Sequence, residues 1–506
     1  MGRKSLILLL FIAAKFFLQY IIIGPGYDLH RDEYLYLDQA NHPAWGFVSV
    51  PPFMSWIAAL VKLSGNAVFW VKFFPAIFGV ATLVLTWEMV RVLKGNLFAC
   101  CLAATGILLS SFLRIDMLFQ PNSFDILSWT ALYYCLLRFI TGKDSRWIYL
   151  AAVVFAMGFL NKYNIVFLAL GLLPAIILGG PAKLFFQKHT LYALGFALLL
   201  VLPNLAWQYL HHFPVVGHMK ELSARQLDFV RPSDYLKEQV LFFLGVIFLF
   251  PLAFISYWLY KPFQPYRLFF WSFIFTTLLY LWLHGKGYYA LGLYPVQIAF
   301  GAAWFAHLTN RRWGMYIFRP IAILVPALLF IPIFKIAFPY KAPEKLSANK
   351  KRYEKFGLLR WEDGEQHNLP QDFADMLGWK ELAAKTRVAW QAAGPYSTMV
   401  ISDNYGQAGA VNYFNSRVGL HALSFNADYN NWFPAPYQPA NIIVIKESIA
   451  SDDEMDPYRK SYASVRLMDS VTNPLARENG TRIYLASGPV DSIWPFFRRR
   501  IIASGF

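Results

Sequence analysis

Two adjacent acids, Asp32 and Glu33, lie in the densest polar segment of the first 340 residues, Tyr27–Asp38. A carboxylate in a partly apolar site can accept the proton of an attacking hydroxyl, because loss of water raises its pKa toward the useful range. A helical conformation would place Asp32 and Tyr36 one turn apart on one face, with Asp28 a turn earlier. The pair is therefore either a candidate general base or two ordinary solvated loop acids.

A second polar segment, Arg114–Asp125, interrupts the apolar sequence farther along the chain. Pro121 and Asn122 suit the start of a helix, and Asp125 would then lie in the first turn, where the helix dipole favours an anion. Either that capping role or a contact with substrate would explain Asp125.

Two lysines are isolated between apolar runs, Lys162 within Asn161–Asn164 and Lys286 within His284–Tyr289. A charged lysine in apolar surroundings costs free energy unless it is paired or reaches water. Snorkelling of the side chain toward water would by itself explain Lys162. Around Lys286, the glycines allow close backbone approach and the amine offers a cation to a phosphate, whereas the two tyrosines also suit an aromatic belt. Together these segments suit a site that binds an anionic lipid headgroup and activates a hydroxyl.

The composition indicates that membrane spans position these residues. Of 506 residues, 57% are hydrophobic and only 15% charged, far from the averages of soluble domains. The net charge of +16 divides unevenly, because residues 1–340 hold 26 basic and 12 acidic side chains (+14), whereas residues 341–506 hold 20 and 18 (+2). The basic excess therefore lies between hydrophobic runs, as in a membrane protein, and a nucleic-acid partner is excluded.

The apolar runs predict about eleven transmembrane helices, the first of them uncleaved. A shorter apolar stretch, Phe53–Leu63, is expected to lie in the membrane interface. The predicted spans after the one that ends near Ile23 are 67–90, 97–113, 123–140, 147–160, 163–180, 190–207, 239–260, 267–284, 288–308 and 317–337.

The charges of the loops predict the orientation of the chain. One alternating set of loops is basic, and by the positive-inside rule it faces the cytoplasm, so the acidic loops face outward. With an odd number of spans, the polar residues 341–506 would also lie outside. They predict a small α/β domain with an amphipathic helix at Asp372–Ala393 and four strands. The predicted strands are Thr398–Ser402, Ile442–Ile445, Ser464–Met468 and Arg482–Ala486.

The order of these motifs resembles the family 39-type glycosyltransferases, the dolichyl- or polyprenyl-phosphate-mannose-protein mannosyltransferase-like enzymes of the GT-C fold. That family includes the lipid A aminoarabinose transferase. Most of the chain takes part in the resemblance. The matching stretches are Asp32-Glu33 followed by Pro51-Pro52, then Phe119–Asp125, Gly158–Tyr163, His284–Pro295 and Asp403–Ala410.

The resemblance implies an inverting transfer of a sugar from a polyprenyl-phosphate donor to a hydroxyl of a protein, lipid or glycan acceptor. Asp32 would be the general base, and Glu33 would position the acceptor or the base. The donor phosphate would be held by Lys286, Tyr288 and Tyr289, with Arg31 and Lys162 as weaker candidates. The remaining substrate-positioning candidates are His284, Asn122 and Asp125.

The resemblance also implies a place in the bacterial inner membrane, with residues 1–340 as the catalytic transmembrane domain and residues 341–506 as a periplasmic domain. Many relatives carry a polar residue before the proline pair, whereas this chain has Ser49-Val50. No metal site is predicted, since His211, His212 and His218 lack ligand spacing, although a divalent cofactor stays open. The alternative function is a polytopic transporter or flippase of lipid-linked sugars; no repeated halves, typical of transporters, are present.

Overall fold

The computed structural model describes residues 2–225, 227–394 and 397–503. The chain divides into two compact units. The helical unit comprises Met1–Ile21, Val50–Met54 and Lys72–Phe338. The sheet unit comprises Ile22–Ser49, here called the N-terminal segment, together with Ser55–Val71 and Pro339–Phe506.

The helical unit is built from helices whose apolar side chains form one continuous buried core. Each predicted apolar run is occupied by helical structure. The helices are Arg3–Ile21, Val68–Val92, Leu97–Leu108, Phe112–Ile115, Pro121–Gly142, Arg146–Asn161, Ile165–Gly179, Ala182–Phe185, Lys188–Leu210, Pro214–Arg225, Pro232–Phe242, Leu249–Leu259, Arg267–Trp282, Tyr294–Leu308 and Arg319–Ala337. Tighter or wider turns occur at Leu227–Phe229, Lys261–Tyr266, Gly287–Leu293 and Gly314–Phe318.

Within the described residues, five helical segments are long and apolar enough to cross a membrane. Most of the other predicted spans are occupied by shorter apolar helices, so the count of eleven stays a prediction. The five segments are Arg3–Ile21, Val68–Val92, Lys188–Leu210, Gly287–Leu308 and Gly314–Ala337.

The predicted span 239–260 is broken, which corrects the sequence interpretation. One helix ends at Phe242, whose carbonyl oxygen accepts a hydrogen bond from the backbone N–H of Ser111 at 3.1 Å. The next helix begins only at Leu249. Between them Gly245 lies so close to Pro326 that a Cβ would be 2.9 Å from its Cα. The break therefore lets this stretch pack closely against a neighbouring helix of the same unit.

The described residues of the sheet unit form five strands, of which sequence analysis predicted four. They are β1 Thr398–Ser402, β2 Ala422–Ser424, β3 Asn441–Lys446, β4 Tyr462–Ser470 and β5 Arg482–Pro489. The missed strand, β2, has three residues, too few for an alternating pattern to be recognised in the sequence. The helices are Arg31–Gln39, Phe53–Leu63, Pro343–Ser347, Lys351–Glu354, Gln371–Ala374, Trp379–Ala393, Tyr405–Asn415, Asp456–Ser461 and Trp494–Ala503, with 3₁₀ turns at Ala427–Trp432 and Asp452–Met455.

The strands form one sheet in the order β2-β1-β3-β5-β4. β1 pairs in parallel with both β2 and β3, with Ser402 opposite Ser424 on one side and Ile445 on the other. β5 runs antiparallel to both β3 and β4. The α/β character predicted for residues 341–506 is therefore observed.

The helix predicted at Asp372–Ala393 consists of two pieces. A short turn, Gln371–Ala374, is separated from the longer helix Trp379–Ala393 by Gly378. Gly378 has a φ of +82°, the left-handed conformation in which a helix cannot continue and which glycine adopts at little cost.

The N-terminal segment packs inside the sheet unit through buried polar side chains. The amide of Gln39 and the backbone N–H of Val48 donate to the two carboxylate oxygens of Asp428 at 2.8 and 2.7 Å. The hydroxyl of Tyr429 donates to Asp38 at 2.6 Å. These contacts explain why the units differ from a division at residue 340 alone, because hydrogen bonds of such long sequence separation leave no local signal.

Asp428 gives the sheet unit a pH dependence. Burial raises the pKa of this carboxyl from 3.8 to about 6, while the hydrogen bonds from Val48 and Gln39 act in the opposite direction. The folded protein therefore holds the proton of Asp428 more tightly than the unfolded chain does. The resulting stabilisation of the folded state is fully present below about pH 4 and is lost as the pH rises through about 6. We expect a loss of about 3 kcal/mol over this window.

Thermal unfolding of the full chain in detergent, measured at several pH values, tests this expectation. Asp428→Asn, whose side chain cannot ionise, should lack this part of the decline with rising pH. The exposed acid Asp453 provides the control, and Asp453→Asn should keep the wild-type slope. An identical slope in Asp428→Asn and in the wild-type protein would contradict the assignment.

Candidate functional site

The first acid pair lies at the start of the helix Arg31–Gln39. His30 is the N-cap residue, and its side chain accepts a hydrogen bond from the backbone N–H of Asp32 at 3.3 Å. In return, the Glu33 carboxylate accepts from the backbone N–H of His30 at 2.7 Å, which completes a capping box. Glu33 is fully buried. Glu33 thus closes the end of the helix that carries Asp32, and its predicted part in positioning the acceptor or the base stays a prediction.

The predicted alignment of Asp28 with Asp32 is wrong, because the helix begins only at Arg31. Asp28 precedes the helix and accepts a hydrogen bond from the backbone N–H of Lys380 at 3.1 Å. Asp32 and Tyr36 do lie one turn apart within the helix. Of the nearby acids, Asp32 is therefore the candidate base.

The hydroxyl of Tyr405 donates a hydrogen bond to the Asp32 carboxylate at 2.6 Å. The side chain of Asp32 is 34% exposed, and its second carboxylate oxygen lies 4.0 Å from Nδ1 of His30. Burial raises the pKa of Tyr405 well above its usual value, and the neighbouring Asp32 charge adds to the shift. Tyr405 consequently remains a neutral O–H donor at any physiological pH.

Tyr405 belongs to the stretch Asp403–Ala410, one of those that carry the resemblance to the glycosyltransferase family. The structure places there the start of the helix Tyr405–Asn415. Asn404 caps it by accepting from the backbone N–H of Gln407 at 3.0 Å, and the Gln407 side chain completes a second capping box. Sequence analysis missed Tyr405 as a partner of Asp32; the Asn404-x-x-Gln407 spacing is the signal that marks this helix start.

Arg31 stacks on the same tyrosine, with its guanidinium carbon 4.6 Å from the centre of the Tyr405 ring. Gly406 permits this packing, since a Cβ there would be 2.5 Å from Cγ of Arg31. Burial acts against the charged form of Arg31, but Tyr405, Glu478 and Asp375 outweigh it and raise the pKa of the guanidinium. Arg31 thus lies among anionic or polarisable partners of its own unit, and its predicted contact with a donor phosphate stays a prediction.

The helical unit brings together four of the residues predicted to bind the donor. The amine of Lys162 donates to the side-chain oxygen of Asn122 at 2.9 Å. It also lies 4.5 Å from the ring centre of Tyr289 and 5.4 Å from that of Tyr288. Lys286 is near enough for its charge to act on Lys162. Because Lys162 is directed into this polar and aromatic cluster, snorkelling does not describe it.

Asp125 is the fifth residue of the helix that begins at Pro121, so the predicted first-turn position is wrong. Its carboxylate accepts from the indole N–H of Trp129 at 3.0 Å and from the amide of Asn164 at 2.7 Å. Asp125 is buried. It therefore orders the cluster from within, so the capping role does not fit, and its predicted contact with substrate stays a prediction.

Asn164 is the residue that sequence reasoning missed in this cluster. Its amide also donates to the backbone carbonyl of Tyr289 at 3.0 Å, and its side-chain oxygen accepts from the hydroxyl of Tyr280 at 2.5 Å. One side chain thus joins Asp125 to the segment after Lys286. The polar run Asn161–Asn164 between two apolar helices was the available signal.

The glycines around Lys286 serve neighbouring side chains. A Cβ on Gly285 would be 2.6 Å from the ring of Tyr280, and one on Gly287 would be 2.1 Å from the carboxylate of Glu238. Both positions thus require glycine for packing within the protein, and the binding of a phosphate at this segment stays a prediction. His284 is exposed, and its Nδ1 lies 3.0 Å from the carbonyl oxygen of Val230.

Within the part of the chain that the structure describes, no three His, Cys, Asp or Glu side chains are grouped so that they could hold a metal ion. Dependence on a divalent cation stays a prediction.

Comparisons with known proteins agree with this architecture. Crystal structures of ArnT from Cupriavidus metallidurans, bound to undecaprenyl phosphate and in the apo state, superpose with TM-scores of 0.64 and 0.61 at 12% identity. In both cases 96% of this chain and all of ArnT are covered. The chain has the GT-C fold.

Two sequence comparisons relate this GT-C chain to glycosyltransferases. The dolichyl-phosphate-mannose-protein mannosyltransferase family matches residues 49–207. Lipid A galacturonosyltransferase RgtD of Rhizobium johnstonii is 26% identical over 199 residues, which are 37% of this chain and 41% of that relative. The resemblance inferred from the motifs is thus confirmed, with the sequence likeness concentrated in part of the chain.

Proposed function

We propose that this GT-C chain is an integral-membrane glycosyltransferase that moves a sugar from a polyprenyl-phosphate donor to an acceptor hydroxyl with inversion. The observation that carries the proposal is the partly exposed Asp32 carboxylate, fixed by the 2.6 Å hydrogen bond from Tyr405. A base for this reaction must be accessible to the acceptor and held in one orientation, and Asp32 meets both requirements.

In the proposed reaction, Asp32 takes the proton from the acceptor hydroxyl as its oxygen attacks the anomeric carbon of the donor sugar. The bond between that carbon and the phosphate oxygen breaks, and the phosphate leaves with the electron pair. The leaving group is a good one, so protonation by an acid contributes little. Cations that stabilise its growing charge contribute more.

Lys162 and Lys286 are the cations proposed for the phosphate. The contacts of Lys162 with Asn122 and with the two tyrosine rings fix the position of the amine. A fixed amine can form a charge-assisted hydrogen bond to a phosphate oxygen with little ordering cost. The undecaprenyl phosphate bound to the ArnT structure supports a donor of this class.

The location proposed for the reaction is the outer face of the bacterial inner membrane. The concentration of basic residues in alternate loops supports an orientation in which the acidic loops, including that of Asp32, face outward. About eleven spans and an extracytoplasmic C-terminal part complete the proposed topology. The acceptor is proposed only as a protein, lipid or glycan hydroxyl.

An assay of the reconstituted full chain with a panel of radiolabelled polyprenyl-phosphate sugars tests this function. We expect label to move to a hydroxyl-bearing acceptor in a bacterial membrane extract, and Asp32→Asn to abolish this movement. Label that crosses the bilayer while it remains attached to polyprenyl phosphate, with no labelled acceptor, would contradict transferase activity and favour the flippase alternative.

A further inference from the structure

A cleft lies in the sheet unit at the carboxyl ends of β1 and β3. From β1 the chain crosses through the helix Tyr405–Asn415 to β2 on one side, and later returns to β3 on the opposite side of β1. The connections of these two parallel strands thus leave in opposite directions. Open α/β sheets bind their ligands at this kind of position.

The cleft encloses about 90 Å³ and is partly open to solvent. Strand ends and three aromatic side chains, Phe425, Tyr458 and Phe496, form its walls, and charged groups are set among them. This combination of apolar surface with a few directed polar groups is typical of binding sites for small polar molecules.

The polar groups of the cleft alternate between donors and acceptors. The amine of Lys446, whose side chain is 7% exposed, donates to Asp403 at 2.7 Å and to Glu454 at 2.5 Å. The backbone N–H of Glu447 donates to the second oxygen of Asp403 at 2.9 Å. On another wall, the guanidinium of Arg500 lies 5.4 Å from the ring centre of Phe425. Two cations and two carboxylates therefore surround an aromatic interior without an excess of either charge.

A sugar ring matches this arrangement, because its C–H face is apolar and its edge carries hydroxyls that both donate and accept. The rings of Phe425, Tyr458 and Phe496 line the cleft and supply its apolar wall. Carboxylates accept from hydroxyls, whereas lysine and arginine donate to them. A purely anionic ligand such as inorganic phosphate would meet Asp403 and Glu454 as like charges.

We propose that this cleft binds one sugar residue, at a site separate from the Asp32 carboxylate. The choice of a sugar among small polar molecules rests on the proposed function, whereas the existence of the cleft and its groups does not. A saccharide unit held there would give the sheet unit a part in selecting a glycan substrate.

Saturation-transfer NMR on the full chain in detergent, with free glucose, glucuronic acid and glucosamine as probes and inorganic phosphate as a comparison, tests the proposal. We expect saturable binding of at least one sugar, weakened about tenfold by Arg500→Ala and by Glu454→Gln. Arg499→Ala and Asp453→Asn are the matched controls, because these neighbours do not line the cleft. Both should bind as the wild-type protein does.

Equal affinity in all four variants would overturn the proposal, as would the absence of saturable sugar binding or a preference for phosphate alone. Thermal unfolding of each variant identifies loss of fold, and Glu454→Gln preserves shape if Arg500→Ala is unstable. Transfer activity measured on the same preparations separates the two proposals. Transfer without binding here overturns the cleft assignment alone, and binding here without transfer overturns the proposed function alone.

Discussion

Replacement of Asp32 by asparagine should lower the turnover number for sugar transfer by about 10²–10⁴-fold, the contribution of a positioned general base. Asparagine has nearly the same shape and keeps an oxygen that can accept the hydrogen bond from Tyr405, but it cannot take a proton from the acceptor. The KM for the donor should change little, since Asp32 is not proposed to bind the phosphate. Steady-state kinetics of the reconstituted protein measure both quantities.

Two further variants make this result interpretable. Asp453→Asn changes an exposed acid of the same unit and should leave turnover unaffected. Tyr405→Phe removes only the hydroxyl that orients Asp32, and it should cause a smaller decrease in turnover with an unchanged donor KM. If Asp32→Asn retained wild-type turnover with intact thermal stability, Asp32 would not be the base.

Replacement of Lys286 by alanine should raise the KM for the polyprenyl-phosphate donor by about 10- to 100-fold, the loss expected for a charge-assisted hydrogen bond. The charge of Lys286 acts on Lys162, so its removal also reduces the positive potential around the second cation. Donor affinity measured directly, by binding of radiolabelled polyprenyl phosphate, should fall by a similar factor.

Lys261 supplies the control for this prediction, because it is an exposed lysine of the same helical unit outside the cluster. Lys261→Ala should bind the donor as the wild-type protein does. An affinity unchanged in Lys286→Ala, with Lys162→Met equally without effect, would remove the phosphate assignment from this cluster.

Much of the helical unit was predictable, because length and hydropathy are local properties of the sequence. Every predicted apolar run is occupied by helical structure. In the sheet unit, the short apolar helix Phe53–Leu63 also has the predicted bounds. The break at 243–248 was not predictable, since it depends on Ser111 and Pro326, which approach this stretch only in the folded unit. The hydropathy of a segment does not reveal where a residue distant in sequence donates a hydrogen bond to a backbone carbonyl and so ends the helix.

In the candidate site, too, some residues could be predicted from the sequence and others could not. Residue type and polar context identified Asp32 and Lys162, and the structure supplies partners that suit their proposed roles. The partners themselves escaped prediction, because Tyr405 is 373 residues from Asp32 and Asn164 is 39 residues from Asp125. Acids that look alike in sequence thus differ in the structure: Glu33 caps a helix, whereas the carboxylate of Asp32 is partly open.

The packing of the N-terminal segment has a consequence for the synthesis of the protein. The helix Arg31–Gln39 leaves the ribosome among the first residues. The hydroxyl of Tyr405 that orients Asp32 follows 373 residues later, and Tyr429, one of the side chains that donate to Asp38, follows 391 residues later. Contacts of such sequence separation close slowly and late in folding. The segment made early is therefore completed late, and a chain interrupted before Tyr405 carries an unoriented Asp32. The candidate base is therefore oriented only after Tyr405, and with it most of the chain, has been synthesised.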